Sequence, residues 1–198
     1  MSCKDGDNIN YSVVEIGTQI WMASNLRTTK YSNGDPIGTT TPQTLNITSE
    51  TNPKYEWIYY GYQLVIDPVI YGRLYTWHAA TDTRNVCPAG WHLPSRTEWN
   101  TLLGVQGGAS VAGGKLKETG LTHWASPNEG ATNISGFTGI PTGNRAPAGA
   151  CNSYTTVSSL WSSTERDNTY AWYFALGYNY AGAYTDVNTG KSVGLGIR

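Results

Sequence analysis

Phenylalanine and methionine, common fillers of a protein core, are almost missing: there are two of each in 198 residues. Charge is scarce as well. Asp, Glu, Lys and Arg together make up 14% of the chain, against roughly 25% in an average soluble protein. The net charge of −1 offers no attraction for nucleic acid or an anionic membrane. No apolar run approaches the ~20 residues a membrane-spanning helix needs, which argues against membrane insertion. Three cysteines (Cys3, Cys87, Cys151) are too few for a disulfide scaffold. They leave either one bridge, most simply Cys87 to Cys151, or three thiols.

Motifs of chemistry are absent too. There is no C-x-x-C, and His78, His92 and His123 are not grouped with carboxylates, so neither a metal site nor metal ligands are expected. No nucleophile elbow, glycine-rich phosphate loop or paired-carboxylate motif occurs, so the chain offers no catalytic residues and no cofactor site. Glu98, Glu118, Glu129 and Glu165 are scattered and read as helix caps or turn residues. His78 and His92 read as partly buried histidines, and Arg73 and Glu165 as members of internal ion pairs.

What the chain has instead is 14 tyrosines, 8 tryptophans and 23 glycines. Tyr and Trp bury a ring while keeping a polar handle, which suits shallow cores and wet binding surfaces. Glycine at this density implies tight turns and irregular loops. With 39% hydrophobic residues the chain is not disordered. It reads as one loop-rich α+β domain over 9–198, preceded by a tail at 1–8 and interrupted by an irregular insertion at about 32–70, where turn signals such as Asn33-Gly34-Asp35-Pro36 carry no sustained period.

Period-2 patterns predict strands on either side of a Gly17-Thr18 turn, at Trp172-Phe174-Leu176, and at Val193-Leu195-Ile197. Two short helices are expected. One is Gly72 to Ala80, with Leu74, Trp77 and Ala80 on one stripe. The other starts at Ser95, where Ser95-Arg96-Thr97-Glu98 is a capping box, and ends at Gly104 or Gly107-Gly108. From residue 113 onward short strands and turns are expected.

Several stretches resemble a bacterial family, the Fibrobacter succinogenes major paralogous domain, common in surface proteins of Bacteroidetes and relatives. They include Ile16-Gly17-Thr18-Gln19-Ile20-Trp21-Met22, Tyr71-Gly72-Arg73-Leu74-Tyr75, Asn85-Val86-Cys87-Pro88-Ala89-Gly90-Trp91-His92-Leu93-Pro94, Gly113-Gly114-Lys115-Leu116-Lys117-Glu118 and Trp161-Ser162-Ser163-Thr164-Glu165. The resemblance implies a C-type-lectin-like fold, with N- and C-terminal strands paired and a loop-rich binding end, related in architecture to the formylglycine-generating enzymes. It also implies a bridge from Cys87 to a cysteine in the last strand, but Ser192 to Arg198 contains none. The reactive cysteine pair of those enzymes is missing from the C-terminal half, where only Cys151 occurs. Pro127-Asn128-Glu129 is similar to the calcium-and-sugar loops of true C-type lectins, but without partner carboxylates it reads as a turn.

From Asn168 to Thr185 no residue is charged, and seven aromatic residues crowd the stretch. It is similar to the variable regions of proteins diversified by retroelements, in which adenine-directed mutagenesis turns Asn codons into Tyr, Asp, Ser, Thr, Ala or Gly codons. The physical parallel is an antibody paratope, where Tyr supplies rigid contact area and Gly, Ser and Asn adaptable hydrogen bonding. On strand alternation Trp172, Phe174 and Leu176 face the core. The expected ligand-binding set is therefore Tyr170, Tyr173, Tyr178, Asn179, Tyr180 and Tyr184, taking a macromolecular partner, protein or glycan, on another cell or surface. The rival expectations are a structural surface domain whose aromatics pack internally and, behind it, an enzyme related to the formylglycine-generating enzymes. Cys3-Lys4-Asp5 reads as the mature start of a surface lipoprotein, its leader replaced by Met1-Ser2. A cell-surface or secreted location follows, with a phage virion as the alternative.

Overall fold

Alternating residues around Gly17-Thr18 form the first hairpin. In the computed structural model, which describes residues 3–61 and 64–198, β1 (Val13–Ile16) and β2 (Gln19–Met22) pair antiparallel with Glu15 opposite Ile20. Then follow β3 (Glu56–Trp57), β4 (Tyr60–Gly61), β5 (Leu64–Val65), α1 (Pro68–Tyr71), β6 (Leu74–Tyr75), α2 (Trp77–Ala80), α3 (Arg96–Val105) and α4 (Ala109–Leu116). The chain continues through β7 (Asn144–Arg145), β8 (Cys151–Asn152), β9 (Val157–Glu165), β10 (Tyr170–Gly177) and β11 (Ala183–Gly190). The class is α+β, as expected.

Helix α3 starts where the capping box places it. The Ser95 hydroxyl accepts from the Glu98 amide at 3.2 Å, and Glu98 Oε2 accepts from the Ser95 amide at 2.8 Å. Trp99, Leu102 and Leu103 form its buried face. Among the described residues there are four helices where two were expected. The Gly72–Ala80 helix is instead a strand followed by one helical turn: Leu74 and Tyr75 pair with Trp57 and Glu56, and Thr76 then caps α2. A stripe of three apolar residues could not distinguish these states, and cross-strand partners decided between them. Helix α4 was not expected, since adjacent glycines at Gly113-Gly114 cost a helix about 1 kcal/mol each relative to alanine.

The largest sheet is antiparallel, in the order β11-β10-β9. Both its faces are covered. On one side Phe174, Leu176 and Leu160 meet Trp99, Leu102, Ala112 and Leu116; Trp99 stacks on Phe174 with ring centroids 4.3 Å apart and planes 5° from parallel. On the other, Trp161 and Ala171 join Tyr75, Ala79, Leu195 and Ile197. Tryptophan thus fills the space that the scarce phenylalanine and methionine do not.

The final segment corrects another expectation. Val193-Leu195-Ile197 is not a regular final strand paired with the N-terminal hairpin but a run of isolated bridges, and residues 194–198 are all buried. Leu195 bridges to Tyr75, Gly194 to Arg145 and Gly196 to Leu160. Contact with the N-terminal part comes through Leu26, whose amide donates to the Ile197 carbonyl at 2.9 Å, and through Arg198, which donates to the Met22 carbonyl. A side chain at Gly196 would meet Leu160 at 2.9 Å, so the small residues are needed for passage through the core.

Residues 3–8 are not a loose tail. Cys3 and Tyr11 are buried in the first core cluster, and the Tyr11 hydroxyl donates to Asp5 Oδ2 at 2.5 Å. The described part of 32–70 holds the short strands β3, β4 and β5 and the start of α1, and it is anchored. Its Trp57 is 1% exposed beneath the Arg145 guanidinium, which also donates to the carbonyls of Gln43 and Leu45. Arg73 and Glu165 do form ion pairs, with Glu56 and Lys191 respectively. Among the described residues no helix is long and apolar enough to cross a membrane.

Candidate functional site

The uncharged tyrosine segment becomes β10, a connecting loop and the start of β11. That loop is seated on α4 and the turn after it. The Ala181 carbonyl accepts from the Gly114 amide at 2.6 Å, and the Tyr178 carbonyl from the Glu129 amide at 2.7 Å. Contact is close enough to require glycine on both sides. A Cβ on Gly113 would lie 1.8 Å from the Gly182 carbonyl oxygen, and one on Gly114 2.2 Å from that of Gly130. The glycines that weaken α4 as a helix are what let the loop dock on it.

Beneath the loop lies a buried cation. The Lys117 side chain has no exposed surface, and its Nζ donates to the carbonyls of Glu129 at 2.8 Å, Gly177 at 2.8 Å and Tyr180 at 2.9 Å. Three ammonium hydrogens meet three carbonyl oxygens, so every donor is used. The Trp124 ring stands 5.6 Å away. Burial pulls the ammonium down to about 8, and only Glu129 opposes that shift. Sequence reasoning noted Gly113–Glu118 as a motif but gave it no role. The available signal was spacing: Gly113 and Lys117 are four apart, on one helical face.

The six expected site residues divide into three groups. Tyr178, Asn179, Tyr180 and Tyr184 gather at the loop end, with Asn179 exposed, Tyr184 43% exposed, and Tyr178 and Tyr180 half-buried. The rings of Tyr180 and Tyr184 lie 5.0 Å apart at 35°. Tyr180 lies flat over Gly182, where a Cβ would come within 2.4 Å of its ring. Tyr170 is exposed but pairs with Gly190 at the opposite end of β10, roughly 23 Å away at 3.3 Å per residue. Tyr173 is half-buried against the first core cluster, and burial raises its hydroxyl above the ordinary range.

Tyr173 and Trp172 correct the alternation argument. Because the sheet is covered on both faces, the residue opposite the Phe174 face is not a solvent residue. Trp172 shares the Phe174 face but sits half-buried near the start of α3, with the Arg96 guanidinium 4.2 Å over its ring.

The remaining reactive groups lie elsewhere. Cys87 and Cys151 belong to different core clusters and form no bridge. Cys3 and Cys87 share the first cluster, where burial pushes their thiols up to about 11 and about 12. His92 pairs with Glu98 at 2.7 Å and His123 with Glu118 at 2.7 Å. Asn128 serves as a turn residue at φ 49°, its amide donating to the carbonyls of Glu118 and Gly120. Among the described residues no group of three or more His, Cys, Asp or Glu side chains is placed to hold a metal ion.

A family described as the Fibrobacter succinogenes major domain matches residues 14–198. No curated protein and no solved structure matches the chain.

Proposed function

The chain belongs to the Fibrobacter succinogenes major domain family, and on that premise we propose that it is a non-catalytic ligand-binding domain of C-type-lectin-like fold. It grips a protein or glycan on another cell or surface through Tyr178, Asn179, Tyr180 and Tyr184. The observation that carries this reading is the Tyr180–Tyr184 pair: two neighbouring rings on an uncharged loop that Lys117 and the α4 glycines hold from below. Rigid aromatic area binds with little loss of side-chain entropy, and a loop already ordered loses little more on binding. Exposed Asn179 adds adaptable hydrogen bonding. Such a domain acts at a cell surface, as a secreted or lipid-anchored protein, or on a phage virion.

Apart from Gly182, which has no room for a side chain, the loop is held by backbone carbonyls, so its other side chains can change. This supports the further reading of a retroelement-diversified variable region. The placement of Tyr173 favours the structural reading for that residue alone. The test is a screen of the purified protein against arrayed glycans and a displayed library of surface proteins, run beside a Tyr180→Ser/Tyr184→Ser double variant. Binding by the parent that drops at least tenfold in the double variant, with unchanged melting temperature, is expected. Equal binding by the two proteins, or none by the parent, ends this reading. Sibling sequences whose differences cluster at Asn168–Asn188 support diversification; differences spread evenly along the chain sink it.

A further inference from the structure

Lined by none of the tyrosine-loop residues, a cavity of about 300 Å³ opens between the β1–β2 hairpin, the Cys87–Pro94 turn and the C-terminal segment. Its size is at the lower end of small-molecule sites. Its wall is apolar where Ile20, Met22 and Trp91 meet it, and polar where Gln19, Trp21 and Arg198 do. Each of these last three carries a buried polar atom without a hydrogen-bond partner: Gln19 Oε1, Trp21 Nε1 and Arg198 Nη2. Buried side-chain polar atoms in proteins are mostly satisfied, so three unpartnered ones on residues of a single cavity wall are unusual.

The chemistry of the three is specific. Gln19 Nε2 donates to the Glu98 carbonyl at 3.1 Å, which fixes the amide and leaves Oε1 as a free acceptor. Trp21, 5% exposed, offers an indole donor. Arg198 is 4% exposed; its Nε donates to the Met22 carbonyl and Nη1 to Asn25 Oδ1, while Phe137 lies 4.3 Å beneath the guanidinium. Among the described residues no ion pair reaches this cation, and burial lowers it to about 9. Glu98 also lines the cavity, but Ser95 and His92 occupy its oxygens. A water molecule can hydrogen-bond here, but it cannot neutralise a buried charge.

We propose that this cavity binds a small hydroxylated carboxylate, a sugar acid, whose carboxylate accepts from Arg198 and Trp21 and whose hydroxyl donates to Gln19. The apolar wall at Ile20, Met22 and Trp91 takes the ring's C–H face. Trp91 and His92 also line a second, more open cavity that shares Trp77 and Asp82 with a third. This run of adjoining cavities gives an acid at the end of a glycan chain room to continue outward.

Calorimetric titration of the whole protein tests this with D-galacturonate, D-galactose and tri-galacturonate as probes. Galacturonate is expected to bind at least about tenfold more tightly than galactose, and Trp21→Phe or Gln19→Met to weaken it several-fold. Tri-galacturonate binding tighter than the monomer identifies a chain end as the source of the acid; equal binding identifies a free sugar acid. Equal affinity for galacturonate and galactose overturns the proposal. So does galacturonate binding that survives unchanged in both variants. Failure of every probe to titrate means a cavity holding water only, and overturns it too.

Discussion

Lys117 Nζ and the Tyr180 carbonyl oxygen are 2.9 Å apart, so a fully buried cation at the C-cap of α4 holds the backbone of the tyrosine loop. The same nitrogen reaches Gly177 and Glu129. Loop shape therefore depends on main-chain oxygens rather than on the side chains presented to solvent.

Replacing Lys117 by methionine keeps the aliphatic stem but leaves three carbonyls without their donor. The expected loss is about 3 kcal/mol by urea unfolding, since an abandoned buried polar group costs about 1–3 kcal/mol. The parent also carries a pH signature. Its ammonium titrates near 8 when folded and at about 10.4 when unfolded. Between these values the unfolded chain binds more protons, so this group makes stability rise with pH across that window. The methionine variant should lose that slope, and a slope that persists would assign it to another group.

Gly113→Ala places a methyl group 1.8 Å from the Gly182 carbonyl oxygen. Helix propensity alone predicts a gain of about 1 kcal/mol. The docking contact predicts the opposite sign, a loss of about 3 kcal/mol as the loop is forced from α4. A melting curve decides between the signs.

Tyr184→Ser and Tyr173→Ser separate surface from core. Tyr184 is exposed, so its loss should change stability by no more than about 0.5 kcal/mol. Tyr173 packs on the first core cluster, and its removal should cost about 2–3 kcal/mol. Chemical denaturation of the pair gives the comparison.

Ser95→Ala removes the hydroxyl that accepts from the Glu98 amide and donates to Glu98 Oε2, and leaves only the bond from the backbone amide of residue 95 to Glu98. The expected cost is about 1 kcal/mol, read as a lower urea midpoint with an unchanged slope.

Thiol labelling of the native protein should proceed first at Cys151, which is half-buried. Cys3 and Cys87 are buried thiols held protonated at neutral pH, and the thiolate is the reactive form. Mass spectrometry after timed alkylation shows the order; early labelling of Cys87 would contradict its burial.

The elements legible in the sequence were those specified by neighbours in the chain. The Gly17 turn and the Ser95 capping box both depend on residues within four positions, and both stand where expected. What escaped was set by distant partners. Leu74 and Tyr75 are strand residues because Glu56 and Trp57 lie beside them. Tyr173 is inside because a second core covers its face of the sheet, which period-2 alternation cannot reveal. Tyr180 and Tyr184 were visible by composition, whereas the lysine that supports them lies in a family-like stretch, and the three carbonyls it binds are at positions 129, 177 and 180, far along the chain.

The central course of residues 194–198 also bears on how the chain reaches this state. Arg198 meets the Met22 carbonyl across 176 positions, and Tyr75 finds its partner in Leu195. Closing loops of that length precedes the contacts that reward it, and domains built on such contacts fold slowly. During synthesis the core around Tyr75 and Leu160 cannot close until residues 194–198 have left the ribosome, so this part of the hydrophobic interior is a late acquisition.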